Sequence, residues 1–102
     1  MPPTSFEWDD VKAACNEAKH GVSFAEAIAV FGDPWRVVET DARHPYGETR
    51  LQTVGRMENR IVFVCYTLRD GVVRVISARL ASRRERRIYF EKLGGLAWQS
   101  FE

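Results

Sequence analysis

The sequence predicts a single α+β domain: two N-terminal helices, an antiparallel meander sheet of about four strands with a short extra strand before it, and a C-terminal helix. Three observations predict this. Between residues 11 and 31, apolar side chains recur at helical spacing and are bracketed by capping signals. Between residues 35 and 79 the period changes to β-branched and aromatic runs separated by tight-turn dipeptides. From Ser82 onward a capped helical pattern returns. The chain has 102 residues, 45% hydrophobic and 12% aromatic, which is material for one core and not two. The domain is read as residues 1–102, with 1–5 and 95–102 as flexible tails.

Phe6-Glu7-Trp8 reads as a short first strand. Asp9 or Asp10 can then accept a backbone N–H bond and start a helix. Val11, Ala14, Cys15 and Ala18 follow at i, i+3, i+4 and i+7, the spacing of one buried helical face. Gly21 is placed to end that helix in a left-handed conformation. Ser23 and Glu26 form a capping box for a second helix with the apolar stripe Phe24, Ala27, Ile28 and Phe31, stopped by Gly32-Asp33-Pro34. Trp35 to Thr40 reads as a strand, Asp41 to Gly47 as a loop and Glu48 to Arg56 as a strand. Met57-Glu58-Asn59 is a tight connection into the densest apolar run, Ile61 to Tyr66, expected as a central strand covered on both faces. Asp70-Gly71 is a hairpin signal before the last strand, Val72 to Arg79. Alternation there puts Val73, Val75, Ser77 and Arg79 on one face and Arg74, Ile76 and Ala78 on the other. Ser82 and Glu85 form a second capping box, opening a helix that ends near Gly94-Gly95.

Composition excludes several function classes. No window holds the roughly 20 apolar residues of a membrane-spanning helix, and the N-terminus lacks the basic start and apolar run of a signal peptide. Cys15 and Cys65 are far apart and in no metal spacing, so no metal site is expected and a cytoplasmic protein with reduced thiols is. Cys65 reads as a small buried hydrophobe. No GxGxxG, Walker A, HExxH or GxSxG motif is present. The formal net charge of +1 hides a split. Residues 1–51 hold 5 basic and 9 acidic side chains, a net of −4; residues 52–102 hold 10 and 5, a net of +5. Nine arginines and no lysine fall between Arg56 and Arg87. Arginine's planar fork suits bidentate contact with phosphate or carboxylate.

Candidate chemistry follows from that half and from one helix face. Lys12, Asn16, Lys19 and His20 form a polar stripe opposite the first helix's apolar face. It is either a solvated face, with Lys19 and His20 complementing the helix dipole, or a site in which Lys19 meets phosphate and His20 moves protons. His44 sits in a Pro/Gly loop and is assigned no chemistry. Arg56 and Arg79 end two strands and serve either as edge-strand charges or as anion ligands. Arg83, Arg84, Arg86 and Arg87 crowd a helix N-terminus, where cations oppose the macrodipole. They either pair at helical spacing with neighbours such as Glu91 or hold an anion. Tyr66 is either a core aromatic or a rim hydroxyl.

Phe6-Glu7-Trp8-Asp9, Lys12, Asn16 and the run Lys19-His20-Gly21-Val22-Ser23-Phe24 resemble the opening of BrnT-type toxins. The resemblance continues through Ala27, Val30-Phe31 and Asp33-Pro34, and resumes at Arg50, Gly55-Arg56 and Val64-Cys65-Tyr66-Thr67. It closes with Arg74 to Arg79, Arg83-Arg84-Glu85 and Tyr89, spanning residues 6–91. Where many relatives have Lys or Arg followed by Ala-Thr or Ala-Ser, this chain has Leu80-Ala81-Ser82. The resemblance implies a RelE-like fold and the toxin half of a type II toxin–antitoxin pair, an endoribonuclease that needs no cofactor and inhibits translation. The implied partner is a BrnA-type ribbon-helix-helix antitoxin, and operator DNA is reached only through the complex. His20, Arg56, Arg79 and Arg83 are then the expected catalytic residues. Lys12, Lys19, Tyr66, Arg84 and Arg87 are the expected RNA contacts. A non-catalytic arginine-rich nucleic-acid or protein-binding module stands as the alternative.

Overall fold

The computed structural model describes residues 5–41 and 49–94. The elements are β1 (Phe6–Glu7), α1 (Asp10–His20), α2 (Phe24–Ala27) continued by a 3₁₀ segment (Ile28–Gly32), β2 (Val37–Asp41), β3 (Arg50–Met57), β4 (Arg60–Arg69), β5 (Val72–Leu80) and α3 (Arg83–Lys92). The class is α+β, as the sequence predicts. The sheet has five strands in the order β1-β5-β4-β3-β2. β2 to β5 form the expected antiparallel meander, and β1 adds to the edge of β5 in parallel, which makes the sheet mixed. The expected loop 41–47, with His44, and the tails lie largely outside the described residues.

Local chemistry explains the boundaries. Asp9 accepts the Lys12 N–H at 3.0 Å and starts α1, and Gly21 ends it at φ 72°. Both predicted capping boxes form, at Ser23–Glu26 and Ser82–Glu85. Asp70 and Gly71 both take positive φ, which fits the right-handed twist of the β4–β5 hairpin. Central β4 is covered on both faces, with Ile61, Val62, Val64, Cys65, Tyr66 and Thr67 all buried.

The sheet separates two cores. On one side, hereafter the α2 face, Phe24, Ala27, Val30 and Phe31 pack on Val62, Val64, Tyr66, Val73, Val75 and Ala78. On the other, the α3 face, Tyr89 and Phe90 pack on Val54 and Ile61, with Phe63 and Val37 at the border. Gly55 lets the 3₁₀ segment sit directly on β3. A Cβ there would lie 3.0 Å from Val30 Cβ and 3.2 Å from Arg36 Cβ.

One expectation is extended and two are corrected. The second helix tightens after Ala27; Phe24, Ala27 and Phe31 of its stripe are buried as expected, Ile28 packs on them partly buried, and Val30 joins them. The first helix is turned the other way round: Val11, Ala14, Cys15 and Ala18 are exposed, Val11 at 73%, while Asn16 is buried. The reason lies at the sheet edge. β1 pairs with Val73 and Arg74, and among the described residues β5 has no strand neighbour on that edge farther along. Asn16 fills that gap. Its Nδ2 donates to Ala78 O at 2.8 Å and to Val22 O at 3.1 Å, and its Oδ1 accepts from Ala78 N at 3.2 Å. Asn16 satisfies three backbone groups that would each cost about 1–3 kcal/mol if buried unpaired, which together outweigh the roughly 1.5–3 kcal/mol of leaving one valine exposed. Third, the alternation of β5 breaks. Cys65 pairs with Ser77 and Tyr66 with Val75, which leaves Ile76 as a one-residue bulge. Ala78 therefore joins Val73 and Val75 in the core, and Arg79 moves to the α3 face.

Candidate nucleic-acid interface

The bulge decides where Arg79 acts. Opposite Phe63 in register, its guanidinium lies 4.1 Å over the Phe63 ring. Nη1 and Nη2 donate to the two Glu85 carboxylate oxygens at 2.9 and 3.0 Å, and Nη1 also donates to Leu80 O at 3.2 Å. Three of the five guanidinium N–H groups are thus engaged, and two have no partner among the described residues. Glu85 holds a second task, accepting the Ser82 N–H at 2.8 Å in the capping box of α3. Burial alone would push its carboxyl up. The Arg79 guanidinium and the Ser82 N–H outweigh that and hold it below the ordinary glutamate value. One carboxylate therefore fixes both the arginine and the start of the arginine-rich helix.

α3 runs from the end of β5 across the sheet toward β2. Its buried side carries Tyr89 and Phe90, and Lys92 Nζ reaches Arg36 O at 2.7 Å. Tyr89 donates to Asp33 Oδ2 at 2.6 Å; burial first, then the Asp33 carboxylate, raises its hydroxyl well above the ordinary tyrosine value. Asp33 also accepts the Trp35 and Arg56 N–H groups, each at 2.9 Å, so it ties β3 and α3 to the end of the 3₁₀ segment. On α3, Arg83 and Arg87 share one exposed flank, while Arg84 and Ile88 share the flank that lines a cleft against the sheet. Glu39, Gln52, Val54 and Phe63 line the sheet side of that cleft.

The structure does not gather all of the predicted residues. Arg84 and Glu85 line the cleft, and Arg79 is joined to it through its pair with Glu85. Arg56 lies with Asp33 and Trp35 at the other end of α3, its Nε donating to Glu58 O at 2.8 Å. Lys12 and Lys19 are exposed on α1. His20 is partly buried one turn beyond Asn16, at the β5 edge, and so stands toward the end of the strand that carries Arg79. Tyr66 is corrected: it is core, 5% exposed, on the α2 face with its ring 4.9 Å from Phe31. Burial raises its hydroxyl, against a smaller opposing effect of the Arg36 charge. Its period-two neighbours were apolar, which is the signal that separates core from rim here.

Asp33, Glu39, Gln52, the edge-pairing role of Asn16 and the pairing of Glu85 with Arg79 were missed from sequence. Glu39 and Gln52 were legible in part, because each stands two residues from a valine, Val37 and Val54, and so shares its face. Among the described residues, no three His, Cys, Asp or Glu side chains gather as a metal site would need. No helix among them is long and apolar enough to cross a membrane. A family model described as the ribonuclease toxin BrnT of type II toxin–antitoxin systems matches residues 8–85. No curated protein matches the chain.

Proposed function

Since the chain belongs to the BrnT family, ribonuclease toxins of type II toxin–antitoxin systems, we propose that it is a metal-independent endoribonuclease acting in the cytoplasm to inhibit translation. In this reading the RNA's own 2′-hydroxyl attacks the adjacent phosphorus, with His20 as the leading proton-transfer group. Arg79 and Arg83 stabilise charge on the five-coordinate transition state, Arg87 and Lys19 hold flanking phosphates, and Arg84 contacts the RNA from the cleft. Lys12 and Arg56 extend the basic path at its two ends. A BrnA-type ribbon-helix-helix antitoxin neutralises the toxin, and the pair reaches operator DNA through the antitoxin.

One observation supports the reading most: Arg79 is held by Phe63, Glu85 and Leu80 O, Glu85 itself lines the cleft with Arg84, and two Arg79 N–H groups have no partner among the described residues. A donor fixed before substrate arrives loses little reorganisation energy in the reaction, which is what transition-state stabilisation requires. The test is incubation of the purified chain with total RNA in EDTA. Cutting persists if the 2′-hydroxyl mechanism holds; a requirement for Mg²⁺ overturns it. Arg79→Ala lowers cleavage about a hundredfold or more, the scale of one lost charge-stabilising donor, with the fold intact by circular dichroism. Undiminished cutting removes Arg79 from the mechanism.

A further inference from the structure

We propose that the cleft between α3 and the sheet is a guanine subsite for single-stranded RNA, and that Glu39 sets the base preference. This deepens the ribonuclease reading and rests on it. The cleft has an apolar floor of Val54, Phe63 and Ile88 and a polar rim of Glu39, Gln52 and Arg84. Glu39 and Gln52 are directly opposite each other in the β2–β3 register, so their side chains rise from neighbouring strands on the same face. Single-stranded RNA is read by placing splayed bases on apolar surfaces and matching their polar edges.

The rim chemistry selects among the bases. A carboxylate offers two acceptors and no donor at neutral pH. Guanine is the base with two adjacent donors on its pairing edge, N1–H and the 2-amino group. Its opposite edge carries two acceptors, O6 and N7, which a guanidinium meets in a bidentate fashion. Glu39 on the sheet and Arg84 on the helix line the same cleft and supply these two complements. Adenine and cytosine each present a single exocyclic amine to Glu39 beside an acceptor that repels it, and uracil presents one imino N–H between two carbonyls. An Asp or Glu near phosphate-binding arginines otherwise weakens RNA binding. Glu39 is exposed on the cleft rim, where a base compensates its charge by donating to it.

The site also agrees with its surroundings. Glu85 lines the same cleft and carries Arg79, so a base in the cleft sets its phosphate beside the fixed guanidinium. Base choice and positioning of the scissile phosphate are then coupled through α3.

Two measurements on the full chain test this. In the first, guanosine, adenosine, cytidine and uridine 5′-monophosphates are titrated calorimetrically. Guanosine monophosphate binds about tenfold more tightly than the others, the discrimination of one bidentate base contact, and Glu39→Gln removes the preference. Equal binding of all four, or a preference that survives Glu39→Gln, overturns the subsite. In the second, cut sites are mapped on a synthetic RNA with guanosine or inosine at the preferred position. Inosine lacks the 2-amino donor, so the wild type loses cutting at that position and the Glu39→Gln variant shows no further loss on the same exchange. An inosine penalty of equal size in both proteins overturns the role of Glu39. Selective nucleotide binding without RNA cleavage removes the ribonuclease reading and leaves the base site standing. Cleavage without any Glu39-dependent base preference does the reverse.

Discussion

Asn16 carries more of the fold than any single apolar residue of α1. Its side-chain amide presents one donor and one acceptor to Ala78, the same pair a neighbouring strand would present. Replacing it by leucine keeps the branching of the side chain and strands the N–H and C=O of Ala78 and the C=O of Val22. Asn16→Leu therefore loses about 2–4 kcal/mol in urea unfolding, three backbone groups at 1–3 kcal/mol each with partial relief by water. A loss under about 0.5 kcal/mol means water replaces the amide fully. Glu85 gives the residue-scale pH dependence. Its folded carboxyl sits below the unfolded value of 4.5, because Arg79 and the Ser82 N–H favour the charged form against burial. A depressed folded value adds stability above the unfolded value, and that stability is lost as pH falls through the folded one. Wild type and Glu85→Gln thus differ in urea midpoint at pH 6 and converge below pH 4.5; a constant gap across that window refutes the assignment.

Among the elements, those set by near neighbours were readable in the sequence and those set by distant ones were not. Capping boxes, the Asp70-Gly71 hairpin and the apolar run of β4 each act within a few residues, so their chemistry is visible in the chain. The facing of α1 is decided 62 residues away, at Ala78. The bulge at Ile76 is decided by what β4 offers across the ladder. The candidate site inherits this limit, since one bulge moves Arg79 to the α3 face while Tyr66 stays in the opposite core. The docking of α3 is likewise nonlocal. Tyr89 reaches Asp33 across 56 positions, and Asp33 holds the backbone of Arg56 from the same carboxylate oxygen. Removing the hydroxyl in Tyr89→Phe costs about 1.5–3 kcal/mol, the range for a hydrogen bond to a charged group. Hydrogen exchange places the effect: the amides of α3 lose protection more than those of β4, and a uniform loss across the sheet argues against a local tether.

At the scale of the molecule, a near-neutral total coexists with a basic strand-and-helix half. The net of −4 over residues 1–51 and +5 over 52–102 means that the far field is weak while the near field at α3 is strong. Polyelectrolyte steering then contributes little, and RNA affinity depends on how many phosphates the arginines touch. Arg83 and Arg87 are exposed on α3, and Arg79 has two N–H groups without a partner among the described residues. Three phosphate contacts on a single strand give a slope of log affinity against log salt of about −2, at roughly 0.7 per contact. Arg83→Gln combined with Arg87→Gln removes two contacts and flattens that slope by about 1.4. The measurement is fluorescence anisotropy of a labelled RNA oligonucleotide between 50 and 300 mM salt, conditions chosen to span the screening range. A wild-type slope near zero means that base contacts dominate over phosphate contacts. A slope steeper than about −5 requires basic groups well beyond α3, with Lys12 and Lys19 of α1 as the next surface to neutralise.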